Sequence, residues 1–226
     1  MEVSRDTLDI INNFIKTRVS DANSNGVVLG LSGGIDSAVT LSLSVAALGS
    51  DGVTGLIMPY KHTESVDLAK HHAEQLNVNT ETVSIKQIVE SFKSSSSLFA
   101  EKLSEGNLHS RIRMSILYGA GFSSNRLVVG TSNKSELLIG YWTKWGDGGT
   151  DFLPIGDLYK SQVYSLGEEL GVPSGILSRK PTAELWEGQT DEEEFGFTYL
   201  ELDQVLFNLE RFDSVSQISE KTGISS

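Results

Sequence analysis

Residues 29–40, "LGLSGGIDSAVT", decide how the rest of the chain is read. Just before them, "GVVLGL" (26–31) is a short apolar run of the kind that forms a buried strand. Just after the glycines, "SAVTLSLSVAAL" (37–48) has the small and apolar residues of a helix packed on a sheet. Gly33 and Gly34 fall at the junction, with Ser32, Asp36 and Ser37 around them. Such a junction presents backbone N–H groups and the positive end of a helix dipole, which suits a phosphate. A tight turn followed by an ordinary Ser or Asp cap fits the same letters and stays open at this point. Two other phosphate loops are excluded. No lysine occurs between Lys16 and Lys61, so the Walker lysine is missing, and Gly30, Gly33 and Gly34 do not have the G-x-G-x-x-G spacing.

The strand-then-helix pattern repeats outward from this stretch. Strands are expected at 26–31, 53–59, 78–85 and 126–131, with helices at 36–48, 64–76, up to Phe92 and from Ser135 onward. This predicts an α/β fold: a Rossmann-like parallel sheet with helices on both faces. In such sheets ligands bind beyond the carboxyl ends of the strands, where loops 32–37, 58–62 and 130–136 should converge. The 226 residues show no linker or composition shift, so one domain over 1–226 is expected. Thirty acidic against 18 basic residues give a formal charge of −12, which disfavours nucleic-acid or membrane partners. The absence of cysteine excludes disulfides and thiol chemistry. No signal peptide or spanning segment is read, so a soluble cytoplasmic protein is expected. The serine-rich stretch 91–99 reads as a flexible connector, and His71 and His72 as a solvated helix face.

Three further segments carry candidate chemistry. "GNLHSRIRMSILYG" (106–119) places Arg111 and Arg113 near a helix start, either as solvated residues or as a clamp for phosphate or ribose. In "VVGTSNKSE", Ser132 or Asn133 can cap a helix whose first turn holds Glu136. Glu136 fits equally as one of two carboxylates on a magnesium ion, with Asp36 as the other. "TKWGDGGTD" (143–151) is a glycine-rich loop flanked by aromatics, able to bring backbone close to a flat ligand. Residues 179–195 lack periodicity and read as a lid or binding loop.

The pattern "SGGxDS" resembles the pyrophosphate loop of ATP-pyrophosphatases, which split ATP between its α and β phosphates. Together with "GNLHSRIRM", "GTSNKSE", "TKWGDGGTDFLPIGDLYKSQV" and "KPTAELWEGQTDEEEFGFTYLELD", in this order over about residues 5 to 210, the chain resembles the ammonia-dependent NAD synthetases. The resemblance implies an adenine nucleotide alpha hydrolase-like fold and a ligase that converts deamido-NAD to NAD with ATP and ammonia. It implies that Gly30, Leu31, Ser32, Gly33, Gly34, Ile35, Asp36 and Ser37 hold the ATP phosphates and that Asp36 and Glu136 bind Mg2+. By the same resemblance Thr131, Lys160 and Thr182 contact ATP, and Arg111, Lys144 and Asp151 contact deamido-NAD, in a homodimer. No covalent nucleophile is implied. The family pattern continues into a basic tail with a His-Lys pair, whereas these residues end at "QISEKTGISS", which implies weak binding of the dinucleotide without such a tail. The rivals are another ATP-pyrophosphatase amidotransferase and a non-catalytic adenine-nucleotide sensor, the latter having no need for both Asp36 and Glu136.

Overall fold

A computed structural model describes residues 3, 4, 6–182 and 188–224. Its elements in chain order begin with α1 (Thr7–Asp21), β1 (Val27–Gly30), α2 (Ile35–Leu48), β2 (Val53–Ile57), α3 (Glu64–Gln75) and β3 (Asn79–Thr82). They continue with α4 (Lys86–Ser95), α5 (Lys102–Ser124), β4 (Leu127–Val128), α6 (Lys134–Ile139) and α7 (Lys160–Glu169). Four helices close the series: α8 (Ser174–Leu177), α9 (Asp191–Phe195), α10 (Tyr199–Glu210) and α11 (Val215–Thr222). The strands form one parallel sheet in the order β3-β2-β1-β4, with Val27 of β1 opposite Val53 on one side and Leu127 on the other.

Alternation along β1 divides the core. Val27 and Leu29 pack with α1, α2, α3 and α7 through Ile15, Val39, Ala69 and Leu166. Val28 points to the opposite face, where it meets Val89 of α4 and Leu108 and Ile112 of α5. Helices therefore cover both faces, as a sheet of parallel strands requires. Edge strand β3 is exposed and polar, Asn-Thr-Glu-Thr, which blunts further pairing. At the opposite edge β4 is only two residues long, shorter than the run 126–131 predicts. Beyond it Gly130 donates to the Phe152 carbonyl at 3.0 Å, and the Asp151 carboxylate accepts from the Val128 N–H at 2.7 Å. A returning loop, not a further strand, closes that edge.

Two sequence expectations are corrected. The serine-rich stretch is helical: α4 runs to Ser95, a 3-10 turn spans Ser97–Phe99, and Phe92 meets Phe99 edge-on at 5.6 Å. Its serine hydroxyls bond back to nearby carbonyls, Ser94 to Ser91 and Ser95 to Phe92, which satisfies them within the helix. The second correction concerns His72. It is buried, with its Nε2 within 3.1 Å of Ser42 Oγ and 3.3 Å of the Ala38 carbonyl, whereas His71 is exposed. The helix turns one member of the pair to solvent and the other into the core because neighbours in sequence lie about 100° apart and so fall on different faces.

Candidate active site

The junction between β1 and α2 lies at the carboxyl edge of the sheet. Its two glycines have different reasons to be there. Gly33 has φ +79°, and a Cβ on it would lie 2.1 Å from the Ser65 carbonyl oxygen, so only glycine fits. Gly34 has ordinary extended backbone and is the N-cap of α2, contributing no side-chain cap. The two hydroxyls hold the loop from inside. Ser32 Oγ accepts from the Gly34 N–H at 3.2 Å, while Ser37 Oγ accepts from the Ser32 N–H at 3.3 Å and donates to the Gly34 carbonyl at 3.0 Å. The first turn of α2 is thus left without a side-chain cap, the arrangement that receives an anion.

Asp36 sits in that first turn and does not act as its cap. Its Oδ2 lies 2.5 Å from Lys160 Nζ, at the start of α7, and its Oδ1 accepts from Asn133 Nδ2 at 2.9 Å. Lys160 Nζ is also 3.3 Å from Glu136 Oε1 and lies over the Tyr199 ring at 4.8 Å from its centroid. Glu136 serves two purposes. Its Oε2 accepts from the Asn133 N–H at 3.2 Å while Asn133 Oδ1 accepts from the Glu136 N–H at 3.1 Å, completing a capping box. Its other oxygen faces Lys160. Asp191, buried at the start of α9, accepts from the Tyr199 hydroxyl at 3.0 Å and the Tyr141 hydroxyl at 3.3 Å.

Charge in this cluster is unbalanced. Burial raises the Glu136 carboxyl above its ordinary pKa; Lys160 opposes this and Asp36 adds to it. Asp191 is raised in the same way, by burial first, against the pull of Lys160. For Lys160, burial favours the neutral amine, but Asp36 and Glu136 outweigh it and hold the ammonium above the usual lysine range. A single buried ammonium therefore faces more carboxylate than it neutralises. Among the described residues no group of three or more acidic, histidine or cysteine side chains is placed to hold a metal ion. Asp36 and Glu136 nevertheless converge on one cation position, and two carboxylates completed by phosphate oxygens and water are a sufficient set for Mg2+.

A profile of the NAD synthase family matches residues 7–226. The chain belongs to the NAD synthase family. The NH(3)-dependent NAD(+) synthetase of Thermococcus kodakarensis is 46% identical over 222 residues, covering 98% of this chain and 87% of that protein. Two solved structures in the family's range are similar throughout. The NMN synthetase from Francisella tularensis aligns with a TM-score of 0.87 at 39% identity, covering 96% of this chain and 90% of that one. The NH3-dependent NAD synthetase from Campylobacter jejuni, in complex with the nitrate ion, aligns at 0.79 and 35% identity with the same two coverages of 96% and 90%. The Rossmann-like, adenine nucleotide alpha hydrolase-like fold expected from the sequence is the one observed.

In this NAD synthase family member, of the residues expected around ATP, the structure brings together loop 30–37, whose Asp36 meets Lys160, with Glu136 on the same ammonium. Thr131 follows β4, at the same edge of the sheet. Thr182 is described, but the adjoining residues 183–187 of the expected lid lie outside the described residues. The residues expected around deamido-NAD lie along α5 and the glycine-rich loop. Arg111 Nε donates to the Lys144 carbonyl at 3.2 Å, and Asp151 accepts from the Tyr118 hydroxyl at 3.0 Å as well as from Val128. Asp151 therefore also braces the edge of the sheet. In this loop Trp145 is largely exposed and Trp142 partly so, and a Cβ on Gly148 would come within 2.4 Å of the Trp142 ring. Sequence reasoning missed Asn133 as a partner of Asp36, and it missed Asp191 and Tyr199 altogether. The acidic letters of "GQTDEEE" held the signal for Asp191, but nothing in their spacing tells which one is buried.

His109 of α5 lies at the same end of the sheet, stacked on Tyr60 with ring centroids 4.6 Å apart. It is buried, neither ring nitrogen has a hydrogen-bond partner among the described residues, and Glu105 is 3.8 Å away. Burial, reinforced by Arg113 and opposed by Glu105, lowers its pKa from 6.5 to about 4. Between those values the unfolded chain binds more protons than the folded one, so stability falls as pH drops through this window. In urea titrations from about pH 7 to about pH 4.5, wild type is expected to lose stability relative to His109→Gln. A difference independent of pH would contradict a neutral folded His109.

Proposed function

We propose that the chain amidates nicotinic acid adenine dinucleotide (deamido-NAD) to NAD, using ATP and ammonia and releasing AMP and pyrophosphate. The observation that carries this reading is the uncapped first turn of α2, opening on Asp36, Glu136 and Lys160 at the carboxyl edge of the sheet. A carboxylate is a poor electrophile. Its oxygen attacks the α-phosphorus of ATP, the bond to the β-phosphate oxygen breaks, and pyrophosphate leaves. Ammonia then attacks the acyl carbon of the adenylate, AMP departs, and a proton is released.

No side chain is required as a nucleophile. Backbone N–H groups of residues 32–37 orient the phosphates, and the Lys160 ammonium, exchanging carboxylate oxygens for phosphate oxygens, stabilises charge on the leaving pyrophosphate. Asp36 and Glu136 would hold Mg2+, which when bound supplies neutralisation of phosphate charge. Thr131 and Thr182 add contacts to ATP. Arg111, Lys144 and Asp151 receive the dinucleotide acid, with Trp142 and Trp145 available as flat surfaces. The protein acts as a homodimer, a reading supported by the apolar side chains left uncovered on α5, where Phe122 is 92% and Leu103 62% exposed. Among the described residues no helix is long and apolar enough to cross a membrane, and the site of action is taken to be the cytoplasm.

A second reading concerns the acid. The solved structure with the higher of the two TM-scores is an NMN synthetase, and the reacting carboxylate is common to nicotinic acid mononucleotide and the dinucleotide. Both acids should therefore be offered with ATP, Mg2+ and ammonium, and the amide products separated. The dinucleotide is expected to have at least ~10-fold higher kcat/KM, since its additional nucleotide provides binding energy. A preference for the mononucleotide would reassign the substrate, and no amide from either would overturn the ligase reading.

A further inference from the structure

Asp203 is a fully buried carboxylate that the proposed mechanism does not use. It lies one turn into α10 and reaches the first turns of two other helices at once. One oxygen accepts from the Ser135 hydroxyl in α6, and the other accepts from the Ser161 N–H of α7 at 2.7 Å. Ser135 Oγ in turn accepts from the Lys160 N–H at 2.9 Å. The residues it grips are thus the immediate neighbours of Glu136 and Lys160, whose side chains meet across the same gap.

Packing alone does not call for a charge here. Tyr199, Leu202 and Leu206 of the same helix form an apolar cluster with Tyr159, and this already anchors α10. A buried carboxylate is costly to desolvate, and one placed against two helix N-termini gains back through their exposed N–H groups and dipoles. The result is a rigid brace between α6 and α7. Misplacement of a reacting group by about 1 Å costs on the order of 100-fold in rate, so the register of these two turns matters to any reaction at Lys160 and Glu136.

We propose that Asp203 is a positioning residue for the ligase reaction: through Ser135 and Ser161 it sets the register between the turns that carry Glu136 and Lys160. This rests on the reading of those two residues as part of the active site. The test is a double-mutant cycle on the full chain, following AMP release with saturating ATP, ammonium and the dinucleotide acid. Asp203→Asn keeps the size of the side chain and removes its second strong acceptor. It is expected to lower kcat by at least ~30-fold with KM for ATP within about 3-fold, while in a Glu136→Gln background it lowers the residual kcat by less than about 3-fold.

Ser135→Ala serves if Asp203→Asn does not fold. It deletes the hydroxyl between Asp203 and Lys160, and is expected to lower kcat at least ~5-fold in the wild-type background and not in the Glu136→Gln background. Equal losses in both backgrounds would mean that Asp203 merely stabilises the fold, and unchanged kcat in both variants would also overturn the proposal. A Glu136→Gln enzyme with normal kcat is a separate outcome. It would overturn the active-site reading first and the role of Asp203 with it.

Discussion

Lys160→Met is expected to lower turnover at least ~1000-fold and to destabilise the ligand-free protein by about 3–5 kcal/mol. The side chain is almost completely buried, and its ammonium lies between the Asp36 and Glu136 carboxylates with the Tyr199 ring beside it. Methionine nearly matches the length and removes the charge. It leaves two carboxylates facing each other without compensation, and Asp191 adds to the local negative potential. Breaking a buried pair by deleting one partner is expensive for this reason, whereas making the pair contributes far less. Urea unfolding and steady-state turnover on the same preparations check both figures. A lysine that only reached the ATP phosphates would give the loss of turnover without the loss of stability.

The second large effect is expected for Asp36→Asn: turnover down at least ~100-fold with a folded protein destabilised by about 1–3 kcal/mol. If Asp36 capped α2, asparagine would replace it almost without effect. The structure removes that reading, because the N-cap is Gly34 and the Asp36 oxygens are turned to Lys160 and Asn133. Asparagine keeps an oxygen for one of these partners and loses the charge that holds Lys160 and, in the proposed function, Mg2+. Raising Mg2+ should not restore turnover. Near-normal turnover at high Mg2+ would show that the carboxylate is not needed for catalysis, and stability equal to wild type would show that its pairing with Lys160 contributes little.

Much of the fold was legible because the strands in the middle of the sheet are written in one-sided or wholly apolar runs. "GVVLGL" and "VTGLIMP" gave β1 and β2 to within a few residues, and the glycine junction pointed to the carboxyl edge of the sheet. The edges were less legible. β4 stops after two residues because the loop at Asp151 and Phe152 takes over its hydrogen bonds, a pairing made by residues distant in sequence. The site divides similarly. Gly33, Asp36 and Glu136 stand in local motifs, but whether Asp36 caps a helix or meets a lysine depends on Lys160, 124 residues later. Asp203 has no motif of its own; it matters because α10 packs across the starts of α6 and α7. His72 was misread for the same reason, since its partners Ser42 and Ala38 lie on another helix.

The most direct test of the central claim is which bond of ATP is broken, and when. Phosphorus NMR of the full chain with ATP, Mg2+ and ammonium is expected to show slow or no loss of ATP until the dinucleotide acid is added. After the addition, AMP and pyrophosphate should appear together, one of each for every NAD formed. That stoichiometry follows from the proposed function, in which the loop holds ATP for attack at its α-phosphorus and Asp36, Glu136 and Lys160 manage the charge of the departing pyrophosphate. Release of ADP and inorganic phosphate, or ATP cleavage that does not depend on the acid, would contradict it.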